Sequence, residues 1–442
     1  MLLLLGYFCL GRSFAYWGIP PWYMFLGEIV LFCFIFWGPP STQGRWPWPA
    51  LKSSHLVRYR LFFFIFVGFG LLQVAHGLLS GHPPLSTVRD MAFNYYPLYF
   101  LLGLWVGLGD QQFLKRLVRF AAWANGLYGL MYILILNRSD WVLPGVSRDV
   151  LPVPIFGMPE FSAVILLGLL SFEKDLRQVW VLLLLNGAVL IGMLIRAEWL
   201  AFVVGLLVWA WCTKNLKRVA LGAAVVVLLV ALMSLTNFSI AGPESRGGTI
   251  SATELAARVI APIDSDLAKE YSSDATDAHM YEGNAAFRAL WWAVIWSSVH
   301  ESAPRSLLGY GYGFALGDLS PFLEGQFIRT PHNAFFYALG YTGWIGVIIF
   351  AAFQGELARL LWSVHRTTGQ AFGIVFWVTM LTFSLFTPFF EVPQGAIPFY
   401  LIIGCACAPL FQLNNGLVTS RVPNTTDNVA PFPEVAGWAW RV

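Results

Sequence analysis

Apolar residues run together in long unbroken stretches along most of the chain, and polar residues gather in short clusters between them. A helix needs about 17–25 mostly apolar residues to cross a bilayer. About twelve stretches have roughly that length, at 2–17, 21–38, 60–79, 93–108, 117–136, 152–172, 177–195, 197–212, 217–235, 333–362, 369–387 and 394–412. Each predicts a transmembrane helix, because a helix satisfies its own backbone groups where no water can. The first stretch is the weakest, since Gly11 and Arg12 interrupt it, and it reads as a tilted or re-entrant piece. No positive region precedes it and no small-residue cleavage site follows, so it is expected to be retained.

The pattern therefore predicts an all-α, polytopic integral membrane protein with one large loop. Residues 1–236 hold helices one to nine, 237–330 the loop, and 331–412 helices ten to twelve. Residues 413–442, rich in Asn, Thr, Pro and Val, read as a disordered tail. Composition agrees: 57% of residues are hydrophobic, only 12% are charged, and the mean hydropathy is +0.65. A soluble domain carries about 25% charged residues.

Basic residues set the expected orientation. With the N-terminus inside, the cytoplasmic connections carry Arg45, Lys52, Arg58, Arg60, Lys115, Arg116, Arg119, Lys174, Arg177, Lys214, Lys217, Arg218, Arg359 and Arg366. The outer short connections carry only Arg89, Arg138, Arg148 and Arg196. Both termini are thus expected in the cytoplasm and the loop outside. Cys9, Cys33, Cys212, Cys405 and Cys407 all lie in or beside apolar stretches, so no disulfide framework is implied. Cys405 and Cys407 are two apart, which points them to different helix faces and argues against a metal pair.

The loop is acidic, then amphipathic. Phe287, Leu290, Trp291, Val294 and Ile295 recur at helical spacing and predict a helix along the membrane interface, with Trp292 and Trp296 at its edge and Arg288 at its border. Asp264-Ser-Asp266 has the D-x-D spacing of metal-dependent transferases that use nucleotide sugars, which are cytosolic; in an outer loop it reads as a solvated patch. Glycines in Gly309-Tyr-Gly-Tyr-Gly313 would let backbone approach either a ligand or a helix closely, which makes Gly311 and Gly313 candidate binding positions.

Three basic side chains, two arginines and a histidine, carry the candidate chemistry. Arg196 stands between two apolar stretches, either snorkelling beside Glu198 or offering a fixed charge to an anionic headgroup. Arg288 is a cation in an acidic loop. His332 follows Thr330 and Pro331, which suit an N-cap and a first helical position, so it is expected in the first turn beside Asn333. A helix N-terminus favours neutral imidazole and attracts anions. Two arginines with such an N-terminus suit a pyrophosphate, and the histidine suits a base for an attacking hydroxyl. Glu160 and Glu391 lie near proline-broken helix ends on the same side. Each reads either as the lining of an acceptor cavity or as a plain interfacial carboxylate.

These features resemble the O-antigen ligase and O-antigen polymerase superfamily of bacterial glycosyltransferases. The likeness rests on Arg288 followed by aromatic residues, Leu308-Gly-Tyr-Gly-Tyr-Gly313, His332-Asn333 and Gly340-Tyr-Thr-Gly-Trp-Ile-Gly346, and covers about the second half of the chain. Arg196 matches the family's arginine before the loop, although Ile195 stands where a serine is common. The resemblance implies a fold of the GT-C type in the bacterial cytoplasmic membrane. It further implies glycan transfer from a polyprenyl diphosphate to a hydroxyl of a glycan, lipid or protein acceptor at the outer face, with no metal and no other cofactor. Arg196 and Arg288 would hold the diphosphate and His332 would act on the acceptor. The partners are then the lipid-linked donor, the acceptor and the bilayer, with no nucleic acid. The competing class is a lipid-linked oligosaccharide transporter, which twelve helices also fit. Against it, no internal repeat is visible, and the distinctive residues sit at helix ends rather than at midplane depth.

Overall fold

The computed structural model describes residues 1–19, 24–38, 56–148, 151–243, 249–261, 264, 267–268, 275–319 and 330–414. Arg45, Lys52, Asp266 and the tail beyond Asn414 lie outside these, as does the side chain of Arg148. Each of the twelve apolar stretches holds at least one helix, and the longest in each is labelled: α1 (Leu2–Ala15), α2 (Leu26–Trp37), α3 (Val57–Leu79), α4 (Tyr99–Gly109), α5 (Phe113–Leu134), α6 (Ser162–Phe172), α7 (Trp180–Gly192), α8 (Arg196–Thr213) and α9 (Leu216–Leu235) come first. After α10 (Ala275–Val299) follow α11 (Ala334–Thr368), α12 (Phe372–Ser384) and α13 (Pro393–Cys407). Among the described residues, six spans are long and apolar enough to cross a membrane, including those built on α3, α5, α8 and α11. Five others, α1, α2, α6, α7 and α12, are apolar but only 10–17 residues long. Among the described residues, three antiparallel two-stranded pairs decorate the connections.

Small residues let the helices touch. On α4, Gly103 and Gly107 are one turn apart, and a Cβ on Gly103 would overlap the Leu401 carbonyl oxygen of α13. Gly404 of α13 meets the Phe100 carbonyl in the same way. Close backbone approach through small residues is the usual device where lipid offers no hydrophobic drive between helices. It makes α13 the axis of the bundle, with every residue from Pro393 to Cys407 buried.

One helix, α6, starts below the end of its neighbour α5. Asn125 of α5 donates to Ser162 Oγ at 3.0 Å and to Asn186 Oδ1 of α7 at 2.9 Å. Asn125 precedes Leu134 by nine residues, so α6 begins about 13 Å below the end of α5. Residues 155–161 descend to it without helical structure. That stretch threads between α1 and α5: Tyr128 donates to the Gly157 carbonyl at 2.7 Å, and a Cβ on Gly157 would overlap the Leu10 carbonyl oxygen. On α1, Gly11 breaks the helix with φ 48°, so the weak first stretch is a kinked helix packed into the bundle.

Candidate functional site

The C-terminal end of α12 organises the site. Its last carbonyls have no partner within the helix, and two side chains from elsewhere reach them. Asn333 donates through Nδ2 to the Leu385 carbonyl at 2.8 Å, and Arg288 through Nη1 to the Phe386 carbonyl at 3.0 Å. One turn beyond Arg288 on α10, Trp292 Nε1 donates to the Pro331 carbonyl at 2.7 Å, and its ring stacks on Phe336. His332 lies between Pro331 and Asn333, so these bonds bring Arg288 and His332 to one place.

Two sequence expectations need correction here. The N-cap of α11 is Asn333, whose Oδ1 accepts from Phe335 N at 2.8 Å and Phe336 N at 3.1 Å. Thr330 is not the cap, Pro331 is not the first helical residue, and His332 precedes the helix, because its φ of 53° is left-handed. Asn333, expected to bind substrate, spends its amide on the cap and on Leu385. The second correction concerns α10. Trp291, Ile295 and Val299 are buried in the protein core, while Leu290 and Trp296 stay exposed. Part of the apolar stripe assigned to the membrane interface is thus protein-covered, and α10 packs on α11.

Arg196 opens α8. A Cβ on Gly205 of α8 would overlap Thr379 of α12, and from that crossing α8 runs about 13 Å to Arg196 while α12 runs about 8 Å to Ser384. Arg196 therefore belongs to the same end of the bundle as Arg288 and His332. Glu198, fully buried, turns one oxygen away to accept the Ala163 N–H at the start of α6, at 3.0 Å. Four non-glycine residues among those described adopt left-handed backbone: Leu194, Lys214, Asn237 and His332. Leu194 is two residues from Arg196, so strained backbone borders two of the three candidates. Such strain persists where the surroundings enforce it, often at functional sites.

A second polar group lies nearby. Arg12, at the end of α1, sits 3.9 Å from Glu160 and within electrostatic reach of Glu391. Glu391 accepts the Phe389 N–H at 3.1 Å. Burial pushes its carboxyl up to about 7, against the pull of backbone N–H groups and the Arg12 charge. Sequence reasoning found Glu160 and Glu391 but missed Arg12, whose only signal was the polar break it makes in an apolar run. It also missed Trp292 as the residue that holds the chain beside His332.

The glycine loop packs rather than gapes. Gly311 and Gly313 are buried with φ of 79° and 89°. Gly311 N–H donates to the Tyr341 carbonyl and Gly313 N–H to Asp90 Oδ2, each at 2.9 Å. A Cβ on Gly313 would overlap Thr87. Of the two uses foreseen for these glycines, the structure shows the close approach to helices. Asp264 accepts the Leu267 N–H within its own turn, and among the described residues no group of three or more His, Cys, Asp or Glu side chains converges as a metal would need.

With this geometry in place, the comparison with known families is direct: residues 162–351 match the family model described as O-antigen ligase. That stretch of the chain is similar to an O-antigen ligase domain. No curated protein matches the chain. The O-antigen ligase match runs from the first residue of α6 into α11 and includes Arg196, Arg288 and His332. Arg12, Glu160 and Glu391 fall outside it.

Proposed function

We propose that this multi-pass membrane protein transfers a glycan from a polyprenyl diphosphate to an acceptor hydroxyl at the outer face of the bacterial cytoplasmic membrane. The observation that carries the proposal is the meeting of Arg288 and His332 at the end of α12, enforced by the Trp292 bond to Pro331. In the transfer, the acceptor oxygen forms a bond to the anomeric carbon of the donor as the bond from that carbon to the diphosphate oxygen breaks. The hydroxyl proton passes to the imidazole of His332, and the electron pair leaves with the diphosphate. Guanidinium groups of Arg288 and Arg196 stabilise charge that grows on the leaving group, so they bind the transition state more tightly than the ground state. Strained backbone at His332 and beside Arg196 supports a preorganised site.

The transporter reading lacks a comparable observation, since Arg196, Arg288 and His332 belong to one end of the bundle. Reconstitution into vesicles with a polyprenyl diphosphate oligosaccharide separates the two readings. Release of polyprenyl diphosphate with glycosylated acceptor supports transfer; movement of intact donor between leaflets without release overturns it.

A further inference from the structure

Among the buried polar atoms outside the matched stretch that have no hydrogen-bond partner in the protein, three belong to Arg12 and to the turn into α13 that its charge reaches: Arg12 Nε, Glu391 Oε1 and Gln394 Oε1. Gln394 is only 4% exposed. It stands in the first turn of α13, three residues after Glu391, in an otherwise apolar opening turn. Buried polar atoms are nearly always paired, so a group of three calls for an explanation.

We propose that Arg12, Glu391 and Gln394 form a subsite for a sugar of the acceptor, gripping neighbouring hydroxyl groups; this rests on the transferase reading above. The set offers one donor and two acceptors. A hydroxyl group both donates and accepts, so two adjacent hydroxyls on a pyranose ring can satisfy all three atoms. An apolar chain would leave all three unmet. A phosphate would face the carboxylates of Glu391 and Glu160 on either side of Arg12, which assigns the anionic donor to the other arginines. A metal ion is disfavoured by the same guanidinium.

The geometry holds the subsite rigidly. Glu391 is oriented by the Phe389 N–H on its second oxygen, and further backbone N–H groups of its own turn, at Phe390 and Glu391, act on the carboxylate. Both ends of the turn between α12 and α13 are thereby committed. Phe386 at one end is held by Arg288, and Glu391 at the other faces Arg12. Donor charge and acceptor sugar are thus set on opposite sides of a single short turn. A protein side chain presents one hydroxyl, so the arrangement favours a glycan acceptor over a serine or threonine.

The test uses the full chain in nanodiscs with a polyprenyl diphosphate trisaccharide as donor and octyl hexopyranosides of gluco, galacto and manno configuration, with their monodeoxy analogues, as acceptors. Wild type is expected to glycosylate at least one hexoside and to lose efficiency with a deoxy analogue whose missing hydroxyl is not the reacting one. Gln394→Ala should raise the acceptor KM about tenfold or more, with kcat and donor KM little changed. The same deoxy analogue should then lose nothing further. Because the deoxy comparison is made on unaltered protein, a poorly folded variant does not decide the result. If wild type transfers to serine or threonine peptides but to no hexoside, or if deoxy analogues and Gln394→Ala leave KM unchanged, the sugar subsite is wrong while transfer stands. If wild type releases no polyprenyl diphosphate with any acceptor, the transferase reading itself fails, and the subsite with it.

Discussion

Arg288 and Asn333 donate to adjacent carbonyls of the same helix end, Phe386 at 3.0 Å and Leu385 at 2.8 Å. The two side chains come from different helices, α10 and the start of α11, so the end of α12 acts as the peg on which both hang. A cation and an amide suit that position, since the C-terminal end of a helix presents unpaired carbonyls and partial negative charge.

Replacing Asn333 by Ala removes a cap with two N–H partners as well as the bond to Leu385. Loss of an N-cap costs about 0.5–2 kcal/mol, and loss of the hydrogen bond to the Leu385 carbonyl adds to it. Thermal unfolding in detergent should shift downward for Asn333→Ala, and Asn333→Asp should recover the cap but not the Leu385 bond. Equal midpoints for wild type and Asn333→Ala would show that the cap is not needed.

His332→Ala should lower turnover by roughly 10²–10⁴, the usual contribution of a general base. Arg288→Lys should also fail, because a point charge does not reproduce a planar fork. Membrane abundance of both variants should stay near wild type, as both side chains are only half-buried. Full activity in His332→Ala would remove the base assignment.

The helices were legible because lipid forces each apolar run to satisfy its own backbone, so run length alone carries the information. The cap of α11 was not. Thr330 and Asn333 are both good capping residues, and the choice between them is made by the Leu385 carbonyl, a partner far along the chain. Arg288 and His332 were readable from their neighbours in sequence. Arg12 was not, because its meaning comes from Glu160 and Glu391, which only the fold brings to it. The face of α10 was misread in part for the same reason: a stripe at helical spacing does not say whether lipid or α11 covers it.

Transfer should survive chelation. The leaving group is stabilised by guanidinium groups in the proposed mechanism, and Asp264 is occupied by its own turn. Activity of purified protein measured with and without EDTA should agree. Loss on chelation, restored by Mg²⁺ or Mn²⁺ and abolished in Asp264→Ala, would revive the D-x-D reading.

Glu391 predicts opposite pH trends for stability and for acceptor use. Its carboxyl sits at about 7 in the folded protein, above its ordinary value of 4.5. A raised folded pKa contributes stability that is present below about 4.5 and lost as pH rises through about 7. The unfolding midpoint of wild type should therefore fall between pH 5 and pH 8 relative to Glu391→Gln. Acceptor KM should improve over that window, because the ionised carboxylate is the better hydrogen-bond acceptor. Parallel pH profiles for wild type and Glu391→Gln in both measurements would remove this group from the site.

The last prediction isolates positioning from chemistry. Trp292 touches no reacting atom in the proposed mechanism; its N–H holds the Pro331 carbonyl, and its ring rests on Phe336. Trp292→Phe keeps an aromatic ring against Phe336 and deletes the N–H. If that bond sets the place of His332, turnover should drop by about 10- to 100-fold, the scale expected when a catalytic group shifts by about 1 Å. Donor KM should hold, since Arg288 and Arg196 keep their places. The pH dependence of turnover should keep its shape, because the base is displaced rather than removed. Combining Trp292→Phe with His332→Ala should cost no more than His332→Ala alone, as expected when one residue acts only through another. Additive losses in the double variant would instead give Trp292 a role of its own, such as stacking on a sugar.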